Sequence, residues 1–279
     1  MLKKRIYLLV ESITREIDSR ILFSLFFAKK NWSVVIGSKN KIIFFSRFFQ
    51  RGIVIFKGAG KKNLKLINKL KSYGNKIICA DEEGLTLTSK KTVNQRVDKR
   101  CLEKMDYFFC VGKRDQKIIK KENPKHIKKI HSIGNMRFDL LKNKFRSFYN
   151  DDITEINKKY KDFILITTKF TGANNFELVK KDVEKQISNP EKKIINLDVN
   201  FIKAEYNFQK KMFNQYISFL SFFSKKNPKI NIGIKIHPAE NKKTWYKFAN
   251  KFSNIFIADE KYSTNAWIGA SQFIISTNS

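Results

Sequence analysis

Short apolar runs followed by segments of helical period, repeated along nearly the whole chain, are what most restrict the fold of this sequence. Arg5–Val10 reads as a strand. Residues 16–31 read as a helix with Ile17, Ile21, Leu22, Leu25 and Phe26 at helical spacing, and residues 32–36 as the next strand. Ile53–Phe56, Lys76–Ala80 and residues 107–111 and 130–133 continue the strands, and residues 63–73 and 97–105 supply helices between them. A polar, charged stretch over residues 142–157 then reads as a connection. Beyond it, Phe163–Thr167, residues 230–236 and 255–258 and Phe273–Ser276 read as strands, with helices over 209–224, 242–252 and 266–270. Residues 168–208 give no clear pattern. Repeated β-α-β units make parallel sheets covered by helices on both faces. The expectation is an α/β protein of two Rossmann-like domains, residues 1–143 and 151–279.

The charge is extreme, but it decides little by itself. Lys and Arg number 57 against 25 Asp and Glu, a formal net charge of +32. Phosphate contacts supply most non-specific nucleic-acid affinity, and an anionic membrane leaflet also attracts basic proteins. Compositional drift toward Lys, Asn, Ile and Phe explains more, because the lysines are spread in pairs such as Lys61-Lys62, Lys128-Lys129 and Lys242-Lys243. Nucleic acid is the least favoured partner, since no compact aromatic-basic motif of an RNA module is present. Cys79, Cys101 and Cys110 have no metal spacing and read as small hydrophobes in a reducing compartment. The first apolar run is broken by Glu11 and Arg15, which makes it a strand rather than a signal peptide. A cytoplasmic protein, free or peripheral on the inner membrane face, is expected.

In parallel α/β domains ligands bind beyond the carboxyl ends of the strands, and with two such domains the natural crevice lies between them. The loops after strands are therefore where chemistry is sought. Glu11 and Arg15 follow the first strand. They read equally as a charged helix start capped by Ser12 or Thr14, or as groups facing a sugar or its acceptor. Asp81, Glu82 and Glu83 follow the fourth. Three adjacent carboxylates repel, so some must be paired or have a raised pKa. One of them could act as general base on an acceptor hydroxyl, and a solvated acidic turn is the plain alternative. Gly134 permits a tight strand exit and Asn135 suits a helix cap, while Arg137 and Asp139 pair with each other or leave Arg137 for a phosphate. Lys235 and His237, the latter held extended by Pro238, suit a diphosphate or carboxylate-bearing leaving group, with a structural histidine as the plain alternative. Ser276, Asn278 and Ser279 form a small polar turn whose N–H groups suit phosphate.

The segments DEEGL at 81–85, GNMRFDLL at 134–141, KIHPAE at 235–240 and WIGAS at 267–271, in that order, resemble the bacterial surface carbohydrate biosynthesis protein family, with its GT-B-like fold. The resemblance spans nearly the whole chain. It implies a glycosyltransferase of capsule or lipopolysaccharide assembly, with a nucleotide-sugar donor as substrate, a lipid-linked or saccharide acceptor, no cofactor and no metal. It also implies an acceptor-side first domain with Asp81–Glu83 near the reacting centre, and a donor-side second domain with Lys235, His237 and Glu240 near the donor phosphate. Met136 stands where the family has Pro. The family pattern continues past the Asn-Ser turn into a Gly-x-Glu-Ala segment, so an incomplete second domain is expected. A polyol-phosphate transferase of the same fold and a non-catalytic polyanion or RNA binder are the alternatives.

Overall fold

The computed structural model describes residues 4–48, 51–84, 90–174 and 199–276. The chain separates into two compact units, Met1–Phe148 and Tyr149–Ser279. Both sheets are wholly parallel, as expected of two Rossmann-like α/β units.

In the first unit the strands are β1 (Arg5–Val10), β2 (Ser33–Ser38), β3 (Ile53–Phe56), β4 (Lys76–Ala80), β5 (Tyr107–Cys110) and β6 (Ile130–Ser132). They lie in the order β2-β1-β3-β4-β5-β6. Alternate residues supply two cores, as the strand period of two requires. Tyr7, Leu9, Val54, Phe56, Ile77 and Cys79 pack on one face, and Ile6, Leu8 and Ile55 meet Phe23, Phe27 and Trp32 on the other. Burial raises the Cys110 thiol to about 12 and Cys101 to about 11, so these free cysteines stay protonated packing groups.

The second unit has β7 (Phe163–Thr167), β8 (Asn231–Lys235), β9 (Ile255–Ile257) and β10 (Phe273–Ser276) in the order β10-β7-β8-β9. One face packs Ile166, Ile232 and Ile234 against Trp245, Phe248, Phe170 and Leu220. On the other, Phe163 meets Phe256 at 5.5 Å and Trp267 at 5.6 Å, ring centre to ring centre. Gly233 lies beneath this aromatic group, where a Cβ would stand 2.7 Å from the Phe256 ring.

Several boundaries differ from the sequence expectation. The first helix runs Ile13–Ala28, three residues earlier at each end; it stops before the turn in which Asn31 takes a left-handed φ of 58°. The helices Lys39–Ser46 and Lys113–Glu122 carry no clear apolar stripe in the sequence, yet they form the crossovers to β3 and β6. The polar connection contains a helix, Asn150–Tyr160. Its Ile153 packs on Gly269 and its Tyr160 stacks on Phe256 at 4.1 Å. The long helix of the second unit spans Val199–Lys226. Among the described residues no helix is long and apolar enough to cross a membrane.

Candidate functional site

In each sheet the strand order reverses at one place, which is where an open α/β sheet leaves a gap at its carboxyl edge. In the first unit the chain passes from β1 outward to β2 and returns to β3, so the reversal lies between β1 and β3. Side chains from the loops after four strands gather there. Lys57, just after β3, reaches Glu11 after β1 at 2.6 Å and Glu16 in the first helix at 2.9 Å. Glu16 also accepts at 3.0 Å from the N–H of Glu11, the residue before the helix's N-cap; Ser12 makes no side-chain cap. Arg20, one turn further, is buried. It donates to the Leu9 carbonyl, to the Met136 sulfur and to the Glu82 carboxylate, and lies 3.9 Å from Glu16. One guanidinium thus ties together the loops after β1, β4 and β6.

The three carboxylates after β4 have separate surroundings. Glu82 is turned inward to Arg20. Asp81 and Glu83 share Arg96, each at 2.9 Å, with Asp81 buried and Glu83 exposed. Burial drives the Asp81 carboxyl above its ordinary value, although Arg96 and the Glu83 N–H oppose it. Asp81 also approaches Asp115, whose carboxyl burial likewise raises; a Cβ at Gly84 would stand 3.1 Å from an oxygen of each. Asn135 fixes the last loop. Its amide donates to the Glu82 carbonyl at 3.2 Å, and its oxygen caps the short helix at the Arg137 N–H at 2.9 Å. Gly134 adopts φ 95°, open to glycine at no steric cost. Asp139 does not pair with Arg137; it bonds Lys142 at 2.5 Å, because three residues along a helical turn brings the two side chains together.

Glu16 gives this cluster a defined acid response. Burial raises its pKa, but the Glu11 N–H and the Lys57 ammonium outweigh that and hold it below the ordinary value. A carboxyl with a folded pKa below its unfolded one stabilises the fold above the unfolded value, near about 4.3, and loses that contribution as pH falls through the folded one. Wild-type stability should therefore fall more steeply from about pH 5 to about pH 3 than that of Lys57→Met. Urea unfolding at stepped pH measures this difference. Asp81, shifted the opposite way, is common to both proteins and cancels.

In the second unit the chain passes β7, β8, β9 to one side and returns to β10 on the other, so the reversal lies between β7 and β10. There Thr167 donates to the Ser276 hydroxyl at 2.8 Å. Beside it, the loops after β7 and β8 are stitched together. The Thr168 hydroxyl accepts from the His237 N–H at 3.2 Å and donates to Glu240 at 2.8 Å. Glu240 is buried and also accepts from the Phe170 N–H, the Asn174 amide and the Trp245 indole N–H. His237 is half-buried, and its Nδ1 accepts from the Ala239 N–H at 3.2 Å, which puts the proton of the neutral ring on Nε2. Lys235 donates to the carbonyls of Asp259 and Tyr262, each at 3.0 Å, and its burial lowers its pKa.

The structure thus gathers Glu11, Asp81, Glu82, Glu83 and Asn135 around the first reversal point, with Arg15 exposed 3.9 Å from Glu16. It gathers His237 and Glu240 around the loop stitched to β7. Asn278 and Ser279 lie outside the described residues. Sequence reasoning missed Lys57, Arg96 and Thr168. Lys57 and Thr168 each directly follow a strand, which is a usable signal; Arg96 carries none. Among the described residues no group of three or more His, Cys, Asp or Glu side chains is arranged to hold a metal ion.

No protein-family model and no curated protein matches this sequence. Solved structures do match its fold. The UDP-GlcNAc 2-epimerase of Neisseria meningitidis, bound to UDP-GlcNAc, aligns with 99% of this chain over 77% of its own, at 10% identity and a TM-score of 0.53. That of Methanocaldococcus jannaschii, in complex with UDP-GlcNAc and UDP, aligns with 99% over 78% at 15% identity and a TM-score of 0.52. A UDP co-structure from S. aureus gives 99% over 74%, 12% and 0.51. These likenesses establish a GT-B-like fold of two Rossmann-like units.

Proposed function

We propose that this chain binds a nucleoside-diphosphate sugar at the carboxyl edge of β7 and β8 and transfers the sugar in the assembly of a bacterial surface polysaccharide. The observation that carries this reading is the His237-Pro238 loop. Thr168 and Glu240 hold it rigidly at the strand ends, and its imidazole is oriented with Nε2–H as the donor. A donor fixed before the ligand arrives can meet a diphosphate oxygen and stabilise the charge that grows on it as the bond to the sugar breaks. Glu240 acts by positioning, since its oxygens are engaged by four protein donors.

In this reading the first unit serves the acceptor, a lipid-linked or free saccharide. Asp81, whose burial favours proton uptake, serves as general base for the attacking hydroxyl. The likeness to proteins solved with UDP-GlcNAc and UDP supports the donor class. It also favours a second reading, inversion at a carbon of the same nucleotide sugar without any acceptor, because those neighbours are 2-epimerases.

Calorimetric titration with UDP-GlcNAc and with UDP tests the shared part. Both should bind, and His237→Ala should weaken both by about tenfold or more, the loss of one hydrogen bond to a charged group. Absence of binding to either removes the proposal. Proton NMR of UDP-GlcNAc incubated with the protein then separates the readings: a 2-epimer formed without acceptor establishes the second.

A further inference from the structure

The lysines of this chain are everywhere; the acids are not. From Ser19 to Ala80 the sequence holds 14 Lys and Arg and not one of its 25 acidic residues. In the fold this stretch runs from the first helix through β2, the helix Lys39–Ser46, β3 and the helix Leu64–Ser72 to the end of β4. Among the described residues only Arg20, Lys57 and Lys71 of the 14 form ion pairs, all with acids from outside the stretch. The surface left over is positive with no carboxylate of its own.

An apolar knob stands on that surface. The helix Lys39–Ser46 buries Ile42 and Ser46 and turns Phe44, Phe45 and, just beyond its end, Phe48 outward. Phe44 is 62% exposed and Phe48 66%. The rings pack on one another instead, Phe44 at 5.4 Å from Phe45 and 5.5 Å from Phe48. Lys41 and Arg47, both exposed, flank them, with the Arg47 guanidinium over the Phe48 ring. Lys39 bonds Asn63 at 2.7 Å, which brings the exposed Lys61-Lys62 turn beside the start of the helix.

We infer that this face of the first unit docks on an anionic lipid bilayer, with Phe44, Phe45 and Phe48 entering the acyl boundary and the surrounding cations resting on the headgroups. Neither element suffices alone; apolar insertion and a basic rim together give stable attachment. Charge complementarity points to the bilayer, and the ring geometry distinguishes it from single-stranded RNA. Bases stack on open, separated ring faces. Here the rings meet edge to face at 82° and tilted at 60°, so they form a knob rather than platforms, and phenylalanine brings no polar group that water must satisfy.

Co-sedimentation of the full chain with vesicles tests this without any nucleotide sugar, so its outcome is separate from the fate of the proposed reaction. Vesicles in which about a third of the lipid is phosphatidylglycerol should bind the protein, and pure phosphatidylcholine vesicles should not. Phe44→Ser/Phe48→Ser and Lys41→Glu/Arg47→Glu should each lower the partition by about tenfold or more. These side chains are exposed, so both variants should keep the wild-type unfolding curve. No sedimentation with anionic vesicles overturns the inference. So does wild-type partition in either variant, or a preference for single-stranded RNA over vesicles that both variants abolish.

Discussion

Arg20→Met should cost the first unit about 3–5 kcal/mol, the penalty of leaving a buried carboxylate without its partner. The Arg20 and Glu82 side chains are only 3% and 4% exposed, so water cannot replace the missing guanidinium. Glu16 keeps Lys57 when Arg20 goes, whereas Glu82 has no second cation among its ion pairs with described residues. The variant also removes the hydrogen bond that Arg20 gives the Leu9 carbonyl. Against a typical domain stability of about 5–15 kcal/mol, that loss would shift the urea midpoint far downward. The second test is the double variant. Arg20→Met/Glu82→Leu removes both charges, and a buried ion pair replaced by apolar groups is often neutral. The double variant should therefore be more stable than Arg20→Met alone, a non-additivity of about 2 kcal/mol or more. Equal stabilities would mean that Glu82 reaches solvent when Arg20 is absent, and that the network is not what closes the loops.

That network shows what could and could not be read from the residues. The end of each strand was legible, because an apolar run gives way to a polar turn. This was enough to select Glu11, Asp81, Glu82, Asn135 and His237, all of which stand at a carboxyl edge. The repulsion among three adjacent carboxylates also implied pairing or a raised pKa, and Asp81 shows both. What pairs with what was not legible. Lys57 lies 41 residues from Glu16, and Arg20 lies 62 from Glu82. In a chain with 57 basic residues no single one announces its partner. Lys235 is the reverse case: its place two residues before His237 suits a phosphate cation, yet its ammonium closes the loop at Asp259 and Tyr262.

Two helices were hidden for different reasons. The helix Lys39–Ser46 is short and carries its aromatic residues outward, so the run Ile42-Ile43-Phe44-Phe45 has no helical stripe to detect. The helix Asn150–Tyr160 is polar on three sides and buries Ile156, so it reads as a linker. In both, tertiary packing decides what periodicity leaves open. The charge followed the same rule. Counting Lys and Arg along the chain gives an even spread, whereas the absence of acids from Ser19 to Ala80 has meaning only once those residues share one part of a fold.

Glu240→Ala should damage the second unit more than any change at His237, and the contrast separates holding the site from using it. The Glu240 carboxylate takes the Thr168 hydroxyl and Phe170 N–H at 2.8 and 2.9 Å, the Trp245 indole at 2.8 Å and the Asn174 amide at 3.3 Å. Truncation leaves these donors in a pocket closed by Phe170 and Trp245, at about 1–3 kcal/mol for each that finds no new acceptor. A total loss of about 4 kcal/mol is expected, read as a lower thermal midpoint for the second unit. Glu240→Gln keeps the shape but turns one acceptor into a donor facing other donors, so it should recover only part of the loss. His237→Ala removes a half-buried ring whose Nδ1 accepts from an N–H of its own turn, and it should leave the stability within about 1 kcal/mol of wild type. Nucleotide binding should then weaken in both variants for different reasons. In Glu240→Ala it would weaken along with the fold around Thr168. In His237→Ala it would weaken by about tenfold or more on an intact fold, which is the result that assigns His237 to the ligand.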